Sequence, residues 1–160
     1  MADDGDHLTN DVVEAALRGE LPSVMARLPG SFAVVGDVQF LPGYSVLLSD
    51  EPAATRLTDL TREARQSYLS SLDVLAEAVE RACKDADPGF RRVNIEILGN
   101  TVPFLHAHVW PRYDWEDPEL VKGPVWLYPE SRWDDPASAP GPQHDPLRAA
   151  ITEQLRQLAR

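Results

Sequence analysis

The sequence predicts an α+β fold, and three observations carry it. Runs rich in β-branched and aromatic side chains fall at residues 32–35, 44–48, 91–98 and 104–110, the composition of strands on a pleated surface. One long stretch, residues 61–84, repeats apolar side chains at three- and four-residue steps, the period of an amphipathic helix. The first two runs flank a short loop, so they pair as a hairpin.

Taken in order, Thr9 or Asn10 can cap a short helix with Val12, Val13, Ala16 and Leu17 as its stripe and Gly19 at its end. Residues 22–28 are expected to form a second short helix with Val24, Met25 and Leu28 inward, closed by a Pro29-Gly30 turn. Asp50-Glu51-Pro52 breaks the second strand of the hairpin. Thr61 is a suitable N-cap for the long helix, whose stripe is Ala64, Tyr68, Leu72, Leu75, Val79 and Ala82. In the strand at 91–98, Val93, Ile95 and Ile97 share one face, while Arg92, Asn94 and Glu96 share the other. After Tyr113 the composition shifts to Trp115, Trp126, Tyr128 and Trp133 among seven prolines. Bulky aromatics favour packing over disorder, so this arm is expected to wrap the site or a partner. Asp145 is placed to cap a last helix from Pro146 to about residue 158.

Length and composition bound the rest. A chain of 160 residues fits one domain, 1–160, with no internal repeat. Net charge is −11, from 26 acidic against 15 basic residues, which repels a polyanion such as duplex DNA. A small nucleotide is a different case, because it needs only a local cluster of donors. No window approaches the length of a membrane span, and the acidic Asp3, Asp4 and Asp6 precede no apolar signal segment. The single cysteine, Cys83, excludes an internal disulfide and fits a reducing compartment, so a cytoplasmic location is expected.

The chemistry concentrates in residues 96–113, where two of the four histidines stand two apart in an apolar run. On a strand, Phe104, His106, His108 and Trp110 share one face and Leu105, Ala107 and Val109 the other. Such a pair can be a structural, hydrogen-bonded one, a metal site, or a phosphoryl-transfer site in which one imidazole attacks and the other binds phosphate. The metal reading needs a third ligand, and neither His7 nor His144 is tied to the pair by sequence.

The flanking residues resemble the histidine-triad (HIT) family of nucleotide hydrolases and transferases. The family signature is His-φ-His-φ-His-φ-φ, with φ apolar, and the chain has Phe104-Leu105-His106-Ala107-His108-Val109-Trp110. Two of three histidines and all four apolar positions match; Phe104 replaces the first histidine, so the orientation of His106 is expected from a backbone carbonyl or from Asn94 or Glu96 on the neighbouring strand. Upstream, Pro42-Gly43-Tyr44 resembles the Pro-Gly-His of the family's first hairpin, with Tyr44 in place of histidine. The likeness spans about residues 31–113, leaving 114–160 as arm and helix. Pro111-Arg112-Tyr113-x-Trp115 and the run from Gly123 to Pro129 resemble a bacterial branch labelled diadenosine tetraphosphate hydrolase.

The resemblance implies a mostly antiparallel sheet packed against the long helix, with an N-terminal helical segment and a homodimeric assembly. It implies that His106 is the nucleophile and His108 the second catalytic histidine. Asn100 and Thr101 then contact phosphate, Phe104 belongs to the substrate site, and Asp37 is the nearest candidate on the ribose-binding loop, because Gly36 occupies the usual polar position. No metal ligand set or cofactor is required, although a divalent ion can accompany the substrate's phosphates. The activity implied is hydrolysis of a dinucleoside polyphosphate-like phosphoanhydride through a nucleotidyl-histidine. Nucleotidyl transfer to another acceptor uses the same residues, and a non-catalytic nucleotide-binding protein is the third reading.

Overall fold

The computed structural model describes residues 10–160 and has the expected α+β architecture. Five strands, β1 (Val24–Leu28), β2 (Ser31–Val35), β3 (Ser45–Ser49), β4 (Phe90–Glu96) and β5 (His106–Tyr113), form one sheet in the order β1-β2-β3-β5-β4. Every neighbouring pair is antiparallel. Four helices surround it: α1 (Asn10–Leu17), α2 (Arg62–Ala86), α3 (Glu130–Trp133) and α4 (Asp145–Leu158).

The first correction is β1, which lies where a second helix was expected. The spacing of Val24, Met25 and Leu28 suits either period over so few residues. The tertiary context decides, because the free edge of β2 has backbone groups to pair. Leu28 pairs with Ser31 across the Pro29-Gly30 turn, and Gly30 takes φ +69°, a left-handed conformation that glycine adopts without cost.

Smaller corrections concern the helices. Thr9 lies outside the described residues. In α1, Val13 and Ala16 are buried but Leu17 is exposed. Thr61 caps α2 as expected, its hydroxyl accepting from Ala64 N, while Ala64 itself is exposed. Asp145 is the first residue of α4 rather than its cap, and His144 occupies the cap position with no side-chain bond to the helix.

Two cores flank the sheet. On one face Ala33, Leu47, Leu105, Ala107 and Val109 meet Tyr68, Leu72, Leu75 and Val79 of α2 and Ile151 and Leu155 of α4. On the other, Phe32, Val34, Val46, Leu48, Phe104 and Trp110 meet Val13 of α1, Phe40 and Tyr44 of the β2–β3 connection, and Val125 and Tyr128 of the C-terminal arm. The arm is therefore packed on the domain. Its root is a buried ion pair: Arg112 Nη2 donates to Glu116 Oε2 at 2.9 Å, with the side chains 3% and 0% exposed. Glu116 also accepts from Tyr128 Oη and from Tyr113 N. Arg112 Nη1 donates to Asn94 Oδ1 and to Gly123 O. Both charges are thus paired and fully hydrogen-bonded, the condition for tolerating their burial.

Candidate active site

β5 is an interior strand, paired to β3 on one side and to the edge strand β4 on the other, and it carries both histidines. His106 faces Leu48 of β3, while His108 stands between Val46 of β3 and Glu96 of β4. Their rings lie on the arm-covered face, 4.8 Å apart at 79°, and are 5% and 4% exposed.

Each imidazole is fixed by a different acceptor–donor relation. His106 Nδ1 lies 2.8 Å from the carbonyl of Phe104. A carbonyl only accepts, so Nδ1 carries the hydrogen and Nε2 holds a free lone pair. His108 Nδ1 lies 2.7 Å from Tyr44 Oη. Burial raises the Tyr44 pKa well above the ordinary phenol value, with Asp37 and Glu96 adding to the rise. The hydroxyl stays protonated and has no other partner among the described residues, so it donates to Nδ1 and leaves the hydrogen of His108 on Nε2. The two rings are thus set in opposite tautomers: a bare nitrogen on His106, an N–H on His108.

Burial keeps both neutral. It lowers the His106 pKa, against a smaller upward pull from the Phe104 carbonyl. It lowers that of His108 to about 3, with the His106 charge adding to the effect.

Tyr44 is held by stacking on Trp110, with ring centres 3.4 Å apart at 6°, and its ring fills the space beside Gly36. A Cβ on Gly36 would lie 2.0 Å from Tyr44 Cδ1, so no polar side chain can occupy that position beside this tyrosine. Gln39, buried in the same loop, donates to Gly36 O and Tyr44 O and accepts from Gly43 N. The loop is tied to itself, and the tyrosine is tied to the loop.

Aromatic residues of the arm close the site. Trp126 meets the His108 ring edge-on at 4.9 Å, stacks on Trp133 at 5.1 Å and 4°, and donates from Nε1 to Glu96 at 2.5 Å. Glu96 and Asn94, both candidates from sequence for orienting His106, are instead engaged by Trp126 and Arg112. The orienting group is the Phe104 carbonyl.

The remaining expected residues are spread more widely. Phe104 is buried, its ring 4.6 Å from that of His106. Asn100 and Thr101 lie exposed on the β4–β5 connection, and neither side chain is hydrogen-bonded among the described residues. Asp37 is exposed at the rim of a cavity of about 540 Å³ lined by Val12, Val34, Val46, His144 and Arg148. Neither His106 nor His108 lines it, but Val46 of its lining is a cross-strand neighbour of His108. A larger groove, about 640 Å³, runs along the open edge of β4 past Arg91, Arg92 and Lys122; it too is not lined by either histidine, although its Glu96 is the other cross-strand neighbour of His108. Volume alone therefore does not locate the chemistry. Among the described residues no three of His, Cys, Asp and Glu gather as a metal site, and no helix is long and apolar enough to cross a membrane.

Sequence reasoning registered Tyr44 only as a substitution; its meaning as the partner of His108 needed the fold. Trp126 stood out only as part of the Gly123–Pro129 run; its place against the His108 ring needed the fold.

A family model described as HIT domain matches residues 21–115, more than half of the chain. No match was found among curated proteins. Solved structures share the fold. A histidine triad protein from Sinorhizobium meliloti 1021 is 23% identical, with 82% of this chain and 87% of that one covered and a TM-score of 0.65. A hypothetical histidine triad nucleotide-binding protein from Sulfolobus tokodaii strain7 is 11% identical, with 94% of each chain covered and a TM-score of 0.66. A Zn-bound histidine triad family protein from Mycobacterium smegmatis is 17% identical, with 90% of this chain and 91% of that one covered and a TM-score of 0.57.

Proposed function

From the premise that the chain belongs to the HIT domain family, we infer that it is a nucleotide hydrolase of the kind its sequence resembles, acting on a dinucleoside polyphosphate or a related nucleotidyl bond. The observation that carries this reading is the pair of Nδ1 contacts, His106 to the Phe104 carbonyl and His108 to the Tyr44 hydroxyl, from which the opposed tautomers follow. A lone pair on His106 Nε2 beside an N–H on His108 Nε2 is what attack at phosphorus requires.

His106 Nε2 attacks the α-phosphorus. The new P–N bond forms as the P–O bond to the departing phosphate breaks, and that oxygen takes the electron pair. His108 donates to a non-bridging oxygen as its charge grows. Water then attacks the nucleotidyl-histidine, the P–N bond breaks, and the nucleoside monophosphate leaves with His106 restored. A low His106 pKa keeps the nucleophile unprotonated at neutral pH. Asn100 and Thr101 supply phosphate donors once their loop folds toward the histidines. The cavity beside Val46 takes the nucleoside, with Asp37 accepting from the ribose hydroxyls. Any divalent ion arrives on the substrate's phosphates. The His108 ring is covered by Trp126, so substrate entry displaces that tryptophan while the rest of the arm stays docked.

The open edge of β4 supports a homodimer: its outer backbone groups have no strand partner, and Ile95 is 48% exposed. A cytoplasmic location accords with the one buried thiol, Cys83.

The test is a covalent mass shift on His106 after mixing the protein with a dinucleoside polyphosphate, followed by product analysis. An adduct with nucleoside monophosphate as product supports hydrolysis. An adduct discharged only to phosphate or another acceptor makes it a transferase. Thermal protection with neither adduct nor product leaves a binding protein, the reading favoured by the burial of both rings.

A further inference from the structure

The cavity beside Val46 has two walls of different origin. Val34, Gly36, Asp37 and Val46 belong to the part of the chain that matches the family model, residues 21–115. The facing wall, with Pro140, Pro142, His144 and Arg148, comes from the C-terminal arm beyond it. Arg148 is occupied there, its Nη2 donating to Pro22 O at 2.6 Å and Val24 O at 3.3 Å, which pins α4 against β1. His144 ends the short 3-10 turn Pro142–His144 and is half-buried. Its Nδ1 accepts from Gly141 N at 3.2 Å. A backbone N–H can only donate, so in the neutral ring Nδ1 is bare and Nε2 carries the hydrogen. That N–H has no partner among the described residues, in a cavity lined by four valines and three prolines together with Asp37, Asp145 and Arg148.

We propose that His144 is a specificity residue of the arm, donating from Nε2 to an acceptor atom of the nucleobase while Asp37 on the facing wall takes the ribose. This rests on the nucleotide reading and extends it. The flat apolar surfaces of Val12, Val34, Pro140 and Pro142 suit a heterocycle, not a phosphate chain. A cavity of about 540 Å³ falls within the range of about 300–1,000 Å³ for small-molecule sites lined by apolar groups with a few placed polar atoms. Base selection thereby falls to a segment outside the family's shared core.

Two substitutions separate the two jobs of the ring. His144→Asn keeps an acceptor near the place of Nδ1 and removes the donor at the place of Nε2; His144→Gln does the reverse. Adenosine and guanosine 5′-monophosphates are titrated into the unaltered full chain and both variants by calorimetry, and KM and kcat are measured on a dinucleoside polyphosphate. His144→Asn should weaken binding of at least one nucleotide about tenfold and raise KM about tenfold, with kcat moved less than threefold, the pattern of lost uniform binding. His144→Gln should bind within threefold of the unaltered protein. Full affinity in His144→Asn with weakened His144→Gln would overturn the proposal and leave His144 as the brace of the Gly141 turn. Failure of the unaltered protein to bind either nucleotide would instead remove the nucleotide reading itself.

Discussion

On one face of the sheet, α2 and α4 lie over Leu47, Ala107 and Val109 through an apolar stripe. The buried polar groups there are uncharged hydroxyls, those of Ser31, Ser45, Ser49, Tyr68 and Ser71, with Tyr68 Oη donating to Leu47 O and Ser71 Oγ to Pro29 O. The opposite face, built from the alternate residues of the same strands, buries His106, His108, Tyr44, Gln39, Arg112 and Glu116. Each of those six is held by at least one specific hydrogen bond. The helix face is stabilised by area, which is non-directional and roughly additive. The histidine face is held by geometry, where one lost partner strands a buried polar atom. A fold can therefore concentrate chemistry on one face while the other supplies most of the stability.

Substitutions on the two faces should separate these roles. The largest effect is expected from His106→Ala: turnover should fall a thousandfold or more, about 4 kcal/mol of barrier, with the circular dichroism spectrum unchanged. Residual activity above about a hundredth of the unaltered protein would argue against His106 as nucleophile. On the other face, Leu75→Ala should cost about 2–5 kcal/mol of stability by leaving a cavity. Denaturant midpoints should fall while turnover per folded molecule stays level; a parallel loss of turnover would show that the faces are coupled.

Tyr44→Phe removes only the hydroxyl that fixes His108. An unsatisfied buried Nδ1 costs about 1–3 kcal/mol, and the freed ring can adopt the wrong tautomer. Both thermal stability and kcat should fall, and unchanged kcat would mean that the His108 tautomer is irrelevant to rate. Phe104→His should change the rate by less than about tenfold, roughly 1.4 kcal/mol, because the His106 ring is oriented by the backbone carbonyl at 104 and not by its side chain. A thousandfold gain on any dinucleotide would favour the binding-protein reading for the chain as it stands.

The smallest effect is that of mild acid. Both histidines have folded-state pKa values below the unfolded value of about 6.5. Below that value the unfolded chain binds more protons than the folded one, so stability is full above it and declines as pH falls toward the folded values. Between pH 7 and 6 the loss should be about 1 kcal/mol, and turnover should stay nearly level until His106 itself protonates. A stability maximum below pH 5 would contradict neutral, buried rings.

The sequence by itself determined the elements with strong periodicity and the residues of the chemistry. The stripe from Tyr68 to Ala82, the Thr61 cap, the hairpin around residue 40 and the alternation of faces at 104–110 were all legible, because local spacing dictates them. So was the family, from two histidines and their apolar neighbours. Tertiary structure decided what spacing cannot carry. Residues 24–28 became a strand because β2 offered an edge to pair. Asn94 and Glu96 were drawn away from His106 by Arg112 and Trp126, residues 18 and 30 positions distant. Tyr44 acquired its meaning 64 positions from His108. A hydrogen bond closed over such a separation depends on which surfaces the whole chain brings together, and no window of sequence contains both partners.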